Sequence, residues 1–181
     1  MIIWVNGTFG VGKTTVSALL AEAVPGARIF DAEEVGYLLQ PVLKSVPVRN
    51  FQEWPPWRHL VVETAAQILG YVGGTLVVPQ TVLVEQYWDE ISSGLEKAGI
   101  PVRHFVLDAD RETLVRRIET DTVIDSPKVR RWRIDHVQDY EQALPWLRRK
   151  GRIVDTTTLT PAEITTVISD AAGRGPTRGT V

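Results

Sequence analysis

The 181-residue chain contains no cysteine, which excludes disulfides, thiolate metal sites and a cysteine nucleophile. That absence suits the cytoplasm. Histidine is scarce. His59, His104 and His136 are the three, their spacing fits no metal-ligand pattern, and they read as structural or surface residues. No Ser-His-Asp arrangement can be argued. An excess of one charge is missing too: a formal net charge of −2 gives no whole-chain attraction to nucleic acid or to an anionic membrane. No apolar run approaches the ~18 residues of a membrane span, and the apolar start at Ile2-Ile3-Trp4-Val5 is too short for a signal-peptide core. Internal repeats are absent. Loose Gly- and Pro-containing sequence is confined to residues 173–181, which reads as a frayed tail. What remains, with 44% hydrophobic and 23% charged residues, is ordinary for one globular domain over residues 1–172.

Gly7-Thr8-Phe9-Gly10-Val11-Gly12-Lys13-Thr14 matches the phosphate-loop pattern G-x-x-x-x-G-K-[ST] at every position. The apolar residues before it read as a short strand, and Thr15 to Ala23 after it as a helix. Strand, glycine loop and helix give the pattern a mechanism. Gly7, Gly10 and Gly12 let the loop's backbone N–H groups, those of Phe9 and Val11 among them, point at phosphate oxygens. The helix start at Thr14 and Thr15 adds unpaired N–H groups and the positive end of a dipole. Lys13 reaches the β- and γ-phosphates, and the Thr14 hydroxyl is suited to Mg²⁺. This stretch predicts a nucleoside triphosphate site.

Pro25-Gly26 turns the chain into a second short strand, Arg28-Ile29-Phe30, ending at Asp31. In open α/β sheets ligands sit beyond the carboxyl ends of the strands, so Asp31 and the glycine loop should face one crevice. A carboxylate there accepts the proton of an attacking hydroxyl and orients it toward a γ-phosphate. Asp31-Ala32-Glu33-Glu34 equally reads as a helix start, and the two roles are compatible. Tyr37 follows on the acceptor side. Pro41 and Pro47 are expected to break any long helix before Asn50. The aromatic segment Phe51 to His59 comes next. Its residues Phe51, Trp54 and Arg58 form either a pocket wall that stacks a flat ligand and pairs with an anion, or a satellite cluster pinning a loop. Trp57, Leu60, Val61, Ala65, Ile68 and Leu69 share the buried face of a helix.

Thr75-Leu76-Val77-Val78 reads as a buried parallel strand. It ends in Pro79-Gln80-Thr81, without the acidic residue that many nucleotide-binding folds use there for Mg²⁺. Gln80 and Thr81 offer polar groups to the crevice or form a plain turn. A helix over Glu85 to Ala98, a strand over Val102 to Leu107 and a helix over Arg111 to Glu119 continue the strand–helix alternation, which argues for a parallel sheet with right-handed crossovers. Arg116, Arg117, Lys128, Arg130, Arg131 and Arg133 then crowd one region. Ser126-Pro127 caps a helix on which Val129, Trp132, His136 and Tyr140 share a stripe. Residues 120–145 read as an Arg-rich helical lid whose Arg130 and Arg133 face substrate, or as a solvated helix face. Arg152-Ile153-Val154-Asp155 is the last strand. Thr160-Pro161-Ala162-Glu163 opens the last helix with a capping box. The loop between them, with Thr156, packs beside a nucleotide base or is a plain connector.

Met1 to Thr14, Phe30-Asp31-Ala32-Glu33, Asn50 to Arg58 and Leu76-Val77-Val78-Pro79-Gln80-Thr81 together resemble the bacterial tunicamycin-resistance ATP-binding family. More widely the chain is similar to small P-loop kinases such as the chloramphenicol, shikimate and gluconate kinases. The resemblance implies a three-layer α/β/α fold around a five-stranded parallel sheet in the order 2-3-1-4-5. It implies ATP as the nucleotide, Asp31 at the acceptor end, and Arg117, in the pattern Leu114-x-x-Arg117, near the phosphates. Thr120-Asp121 departs from related kinases, which often carry a further Arg there. The missing acid after the third strand is shared with the family pattern.

These features lead to an expectation of ATP- and Mg²⁺-dependent phosphoryl transfer to a hydroxyl of a nucleoside-type antibiotic such as tunicamycin, with Lys13, Asp31 and Arg117 carrying the chemistry. The alternative is ATP-dependent sequestration of the antibiotic without transfer. The expected partner is a small molecule rather than nucleic acid, and the chain is expected to act as a monomer or homodimer.

Overall fold

In a computed structural model of the chain, residues 1–122 and 126–173 are described. The expected tail therefore lies outside the described residues, except for Gly173. Five parallel strands form one sheet: β1 (Ile2–Asn6), β2 (Ala27–Ile29), β3 (Thr75–Pro79), β4 (Val102–Asp108) and β5 (Arg152–Asp155), in the order β2-β3-β1-β4-β5. This is the fold class and strand order implied by the resemblance. In the central strand, Ile3 sits beside Val77 on one side and Arg103 on the other.

β1 is buried along its whole length, because helices cover both faces of the sheet and an unbroken apolar run suits that setting. Side chains alternate between the faces. Ile2, Trp4, Leu76, Val78 and Val106 belong to one core cluster. Ile3, Val5, Val77, Phe105 and Leu107 belong to the other. The first cluster is completed from α2 (Glu33–Leu43), α3 (Pro55–Val72), α4 (Glu85–Lys97) and the second half of α6 (Pro127–Lys150). The second is completed from α1 (Lys13–Ala23), α5 (Arg111–Glu119) and α7 (Pro161–Gly173).

Two local features differ from the sequence reading. Pro41 lies inside α2 rather than ending it, and β2 starts one residue earlier, at Ala27. The expected capping box does form: Thr160 and Glu163 exchange hydrogen bonds, with Thr160 N donating to Glu163 Oε2 at 2.8 Å and Glu163 N to Thr160 Oγ1 at 3.3 Å. Ser126 occupies the N-cap position of α6, with no side-chain capping bond among the described residues.

α6 runs 24 residues and is fixed at its C-terminal half. The Tyr140 hydroxyl donates to Asp108 Oδ1 at 2.8 Å, and Trp146 Nε1 donates to Leu83 O at 3.1 Å. Lys150 pairs with Glu85 and Asp89. Its carbonyl lies 2.9 Å from His104 Nδ1. His104 is buried and stacked on Trp88 at 3.8 Å, and burial lowers its pKa from 6.5 to about 4. A neutral ring that donates from Nδ1 to Lys150 O leaves Nε2 to accept from Asn6 Nδ2, 3.3 Å away. This chain of bonds joins the end of α6, through β4, to the last residue of β1.

Candidate functional site

The loop between β1 and α1 follows from three glycines in the left-handed half of backbone space: Gly7 at φ 136°, Gly10 at φ 76° and Gly12 at φ 99°. Two of them are also confined. A Cβ on Gly7 would lie 2.6 Å from Leu107 O, and one on Gly10 would lie 2.9 Å from Ile118 Cγ1 and 3.2 Å from Leu114 O. The loop is thus pressed onto β4 and α5. Its base is tied by Asn6, whose Oδ1 accepts from Gly7 N at 2.8 Å and Val82 N at 3.0 Å, while Nδ2 donates to Val82 O. The Thr81 hydroxyl donates to Gly7 O at 2.7 Å. Thr81, for which the sequence left open a polar place in the crevice or a plain turn, thus braces the loop with its hydroxyl.

Lys13 reaches back across the loop. Its Nζ donates to Gly7 O at 3.0 Å and Thr8 O at 2.8 Å. Burial lowers its pKa from 10.5 to about 8, opposed by the attraction of Glu33 and assisted by the repulsion of Arg133. Thr14 and Thr15 are exposed at the start of α1, whose first-turn N–H groups complete an anion-binding frame.

Asp31 stands exposed just after β2, and its Oδ1 accepts the backbone N–H of Glu33 at 2.9 Å. The N-cap position of α2 falls on Ala32, which makes no side-chain capping bond, so the Asp31 bond braces the turn before the helix and the expected capping role passes one residue on. Glu33 is a residue the sequence reading did not assign to the site. It is half-buried, and burial followed by repulsion from Asp31 raises its pKa, while Lys13, Tyr37 and Arg133 pull it down. The Tyr37 hydroxyl donates to Glu33 Oε2 at 3.4 Å. The available signal was spacing: Glu33 is two residues beyond Asp31 and four before Tyr37, on the first turn of a helix that begins at the crevice.

On the opposite side, Arg133 lies with its guanidinium carbon 5.2 Å from the centroid of the Phe9 ring and pairs with Asp121 at 3.4 Å. Arg130 donates to Asp121 O at 3.1 Å. Arg117 donates to Thr156 twice, from Nη1 to Oγ1 at 3.2 Å and from Nη2 to the carbonyl at 2.7 Å. Its Cβ is 3.6 Å from the position of a Cβ on Gly10. Arg117, Thr156 and the loop therefore adjoin one another.

The aromatic segment adjoins this frame: Gln52 Nε2 donates to Thr81 O at 2.7 Å and Trp57 Nε1 to Ala32 O at 3.0 Å. Arg58 is buried, donates to Glu90 and Gln52 O, and lies 4.3 Å over the Tyr87 ring. Trp54 donates to Val46 O at 3.0 Å, and Phe51 packs on Trp57 with ring centroids 5.2 Å apart. These contacts tie the segment to its neighbours, and Arg58 serves a neighbouring carboxylate and carbonyl. Gln80 is buried at the end of β3, and its Oε1 has no partner among the described residues.

No three potential His, Cys, Asp or Glu metal ligands gather among the described residues. Mg²⁺ entering with a triphosphate fits this donor set all the same. The Thr14 hydroxyl and the Asp31 carboxylate are hard oxygen donors, and Mg²⁺ retains waters and phosphate oxygens for its other positions. No described helix is long and apolar enough to cross a membrane.

The chain matches the family model described as an AAA domain over residues 3–140. Among solved structures it is similar to the Deinococcus radiodurans tunicamycin resistance protein, at 29% identity and TM-score 0.76 over 96% of each chain. It is also similar to a sugar kinase from Janibacter sp. HTCC2649, at 18% identity and TM-score 0.66 over 92% of this chain and 90% of that one. A gluconokinase from Sinorhizobium meliloti 1021 matches at 20% identity and TM-score 0.61 over 92% of this chain and 87% of that one. The last two likenesses concern the fold alone. No curated protein matches the chain.

Proposed function

The chain belongs to the AAA domain family and has a P-loop kinase-like fold, and from that premise we propose that it is an ATP-dependent phosphotransferase acting on a hydroxyl of a small molecule. The acceptor class we propose is a nucleoside-type antibiotic such as tunicamycin, which the name of one structural relative suggests. The observation that carries the reading is the meeting of opposite charges at one crevice. Lys13 Nζ and the Arg133 guanidinium carbon lie 5.7 and 5.2 Å from the Phe9 ring centroid, their charges reach Glu33, and Asp31 accepts the Glu33 N–H at 2.9 Å. Cations for the phosphates and carboxylates for the acceptor are what transfer from ATP to an alcohol requires.

In this reading the loop N–H groups and Lys13 hold the β- and γ-phosphates, and Arg117 and Arg133 neutralise charge on the transferring group. Thr14 would hold Mg²⁺, which would supply further charge neutralisation. Asp31 orients the acceptor hydroxyl. The hydroxyl oxygen bonds to the γ-phosphorus, the bond from that phosphorus to the bridging oxygen breaks, ADP departs, and the hydroxyl proton passes to the Asp31–Glu33 pair. Burial and mutual repulsion favour proton uptake by Glu33.

The test is mass spectrometry of tunicamycin and a panel of nucleosides after incubation with protein and Mg-ATP. A product heavier by one phosphoryl group is expected, absent with Lys13→Ala and reduced ~100-fold or more with Asp31→Asn. ATP binding should survive in Asp31→Asn. Unmodified tunicamycin that nevertheless binds in the presence of ATP would replace transfer by sequestration.

A further inference from the structure

The phosphate-loop pattern leaves its third position open, and this chain fills it with phenylalanine. The Phe9 ring meets Trp132 of α6 with centroids 5.0 Å apart and His136, one turn later, at 5.9 Å. Trp132 and His136 pack on each other at 4.1 Å. The same ring has Lys13 Nζ 5.7 Å and the Arg133 guanidinium carbon 5.2 Å from its centroid. Two mutually repelling cations thus share one aromatic neighbour, whose electron-rich faces attract both. Backbone N–H groups alone suffice to cradle phosphate, so the cradle itself gives no reason for a ring here. The far half of α6 is anchored through Tyr140, Trp146, Lys150 and His104. The first turns of α6, which meet Phe9, lie before this anchored half.

We propose that Phe9 is a positioning residue that docks the start of α6 on the phosphate loop, holds Arg133 over the site, and couples nucleotide binding to that helix. The ring takes no part in bond making. The coupling rests on the ATP reading above; the docking does not.

The protein carries its own probe. Trp132 is 48% exposed, whereas Trp4, Trp54, Trp57, Trp88 and Trp146 are at most 7% exposed. Acrylamide quenching of tryptophan emission therefore reports mainly on Trp132, with Trp132→Phe as the blank. Without nucleotide, Phe9→Ala should raise the Trp132 quenching constant up to about twofold, since a half-exposed ring can at most double its exposure. Phe9→Tyr should keep the parent value. Adding Mg-ATP should shift the quenching of the parent and of Phe9→Tyr but leave Phe9→Ala unchanged, even though calorimetry finds Mg-ATP binding to Phe9→Ala weakened by less than about tenfold. Phe9→Leu, which keeps bulk without an aromatic face, should follow Phe9→Ala in the nucleotide response, and it decides the matter should Phe9→Ala fail to fold. Quenching and nucleotide response equal to the parent's in these variants would overturn the proposal. So would loss of Mg-ATP binding as complete as in Lys13→Ala, because the ring would then belong to the nucleotide site itself. A parent protein that binds no Mg-ATP overturns the function and with it the coupling, while the nucleotide-free quenching still decides the docking.

Discussion

Lys13, half-buried, and His104, buried, are both bases with lowered pKa values, and they make different demands on pH. Lys13 is charged in the fold below about pH 8, where phosphate binding needs the charge. Between about 8 and 10.5 the unfolded chain holds the proton that the folded chain has released, so the Lys13 contribution to stability rises with pH in that window. Mg-ATP affinity should fall over the same range. Near pH 8 binding should take up a proton, visible as binding heats that differ between buffers of different ionisation enthalpy. His104 works at the acid end. It is neutral in the fold down to about pH 4 and binds a proton near 6.5 when unfolded. Its contribution is complete above 6.5 and is lost as pH falls through 4, on the order of 3 kcal/mol in all. Chemical denaturation between pH 7 and 4 should show this loss in the parent and a smaller one in His104→Gln. The loop glycines and Lys13 were legible in the sequence because their spacing is itself the mechanism. Glu33 was not, because its environment is set by where α2 meets Lys13 and Arg133.

Elements that repeat a period were easy to read. The strands, the face of α3 from Trp57 to Ala65 and the capping box of α7 follow from alternation, 3.6-residue spacing and turn chemistry. The segment from Phe51 to Arg58 shows the limit of such reading. An arginine among aromatics has the composition of a ligand pocket, but the same groups satisfy one another when α3 packs on α4. Arg58 is 5% exposed, and it binds Glu90 and Gln52 O while lying on Tyr87. Arg58→Ala should cost roughly 3 kcal/mol, measured by urea denaturation, because it leaves a carboxylate and a carbonyl without their partner. Arg58→Lys should recover less than half of that, since an ammonium cannot reproduce the planar fork. Pro41 within α2 has a similar lesson: it lacks the N–H that would bond four residues back, yet the helix continues two residues beyond it, to Leu43.

At the scale of the whole molecule, the parallel order β2-β3-β1-β4-β5 brings the loop after β1, Asp31 after β2, Gln80 after β3 and the Thr156 loop after β5 to one end of the sheet. A ligand seated there touches several crossovers at once and stabilises the fold as a unit. Mg-ATP at ~100 times its Kd should add about 2.7 kcal/mol, a rise in Tm of roughly 5–10 °C for a chain of this size. Lys13→Ala should abolish that rise while keeping the Tm without nucleotide close to the parent's. The two outermost strands are also the shortest, three residues in β2 and four in β5. An exposed strand recruits further strands when it is long and flat, and neither edge offers that length. Among the described residues the sheet is thus blunted at both edges, three and four residues offering a neighbouring copy little length along which to extend its hydrogen-bonded ladder.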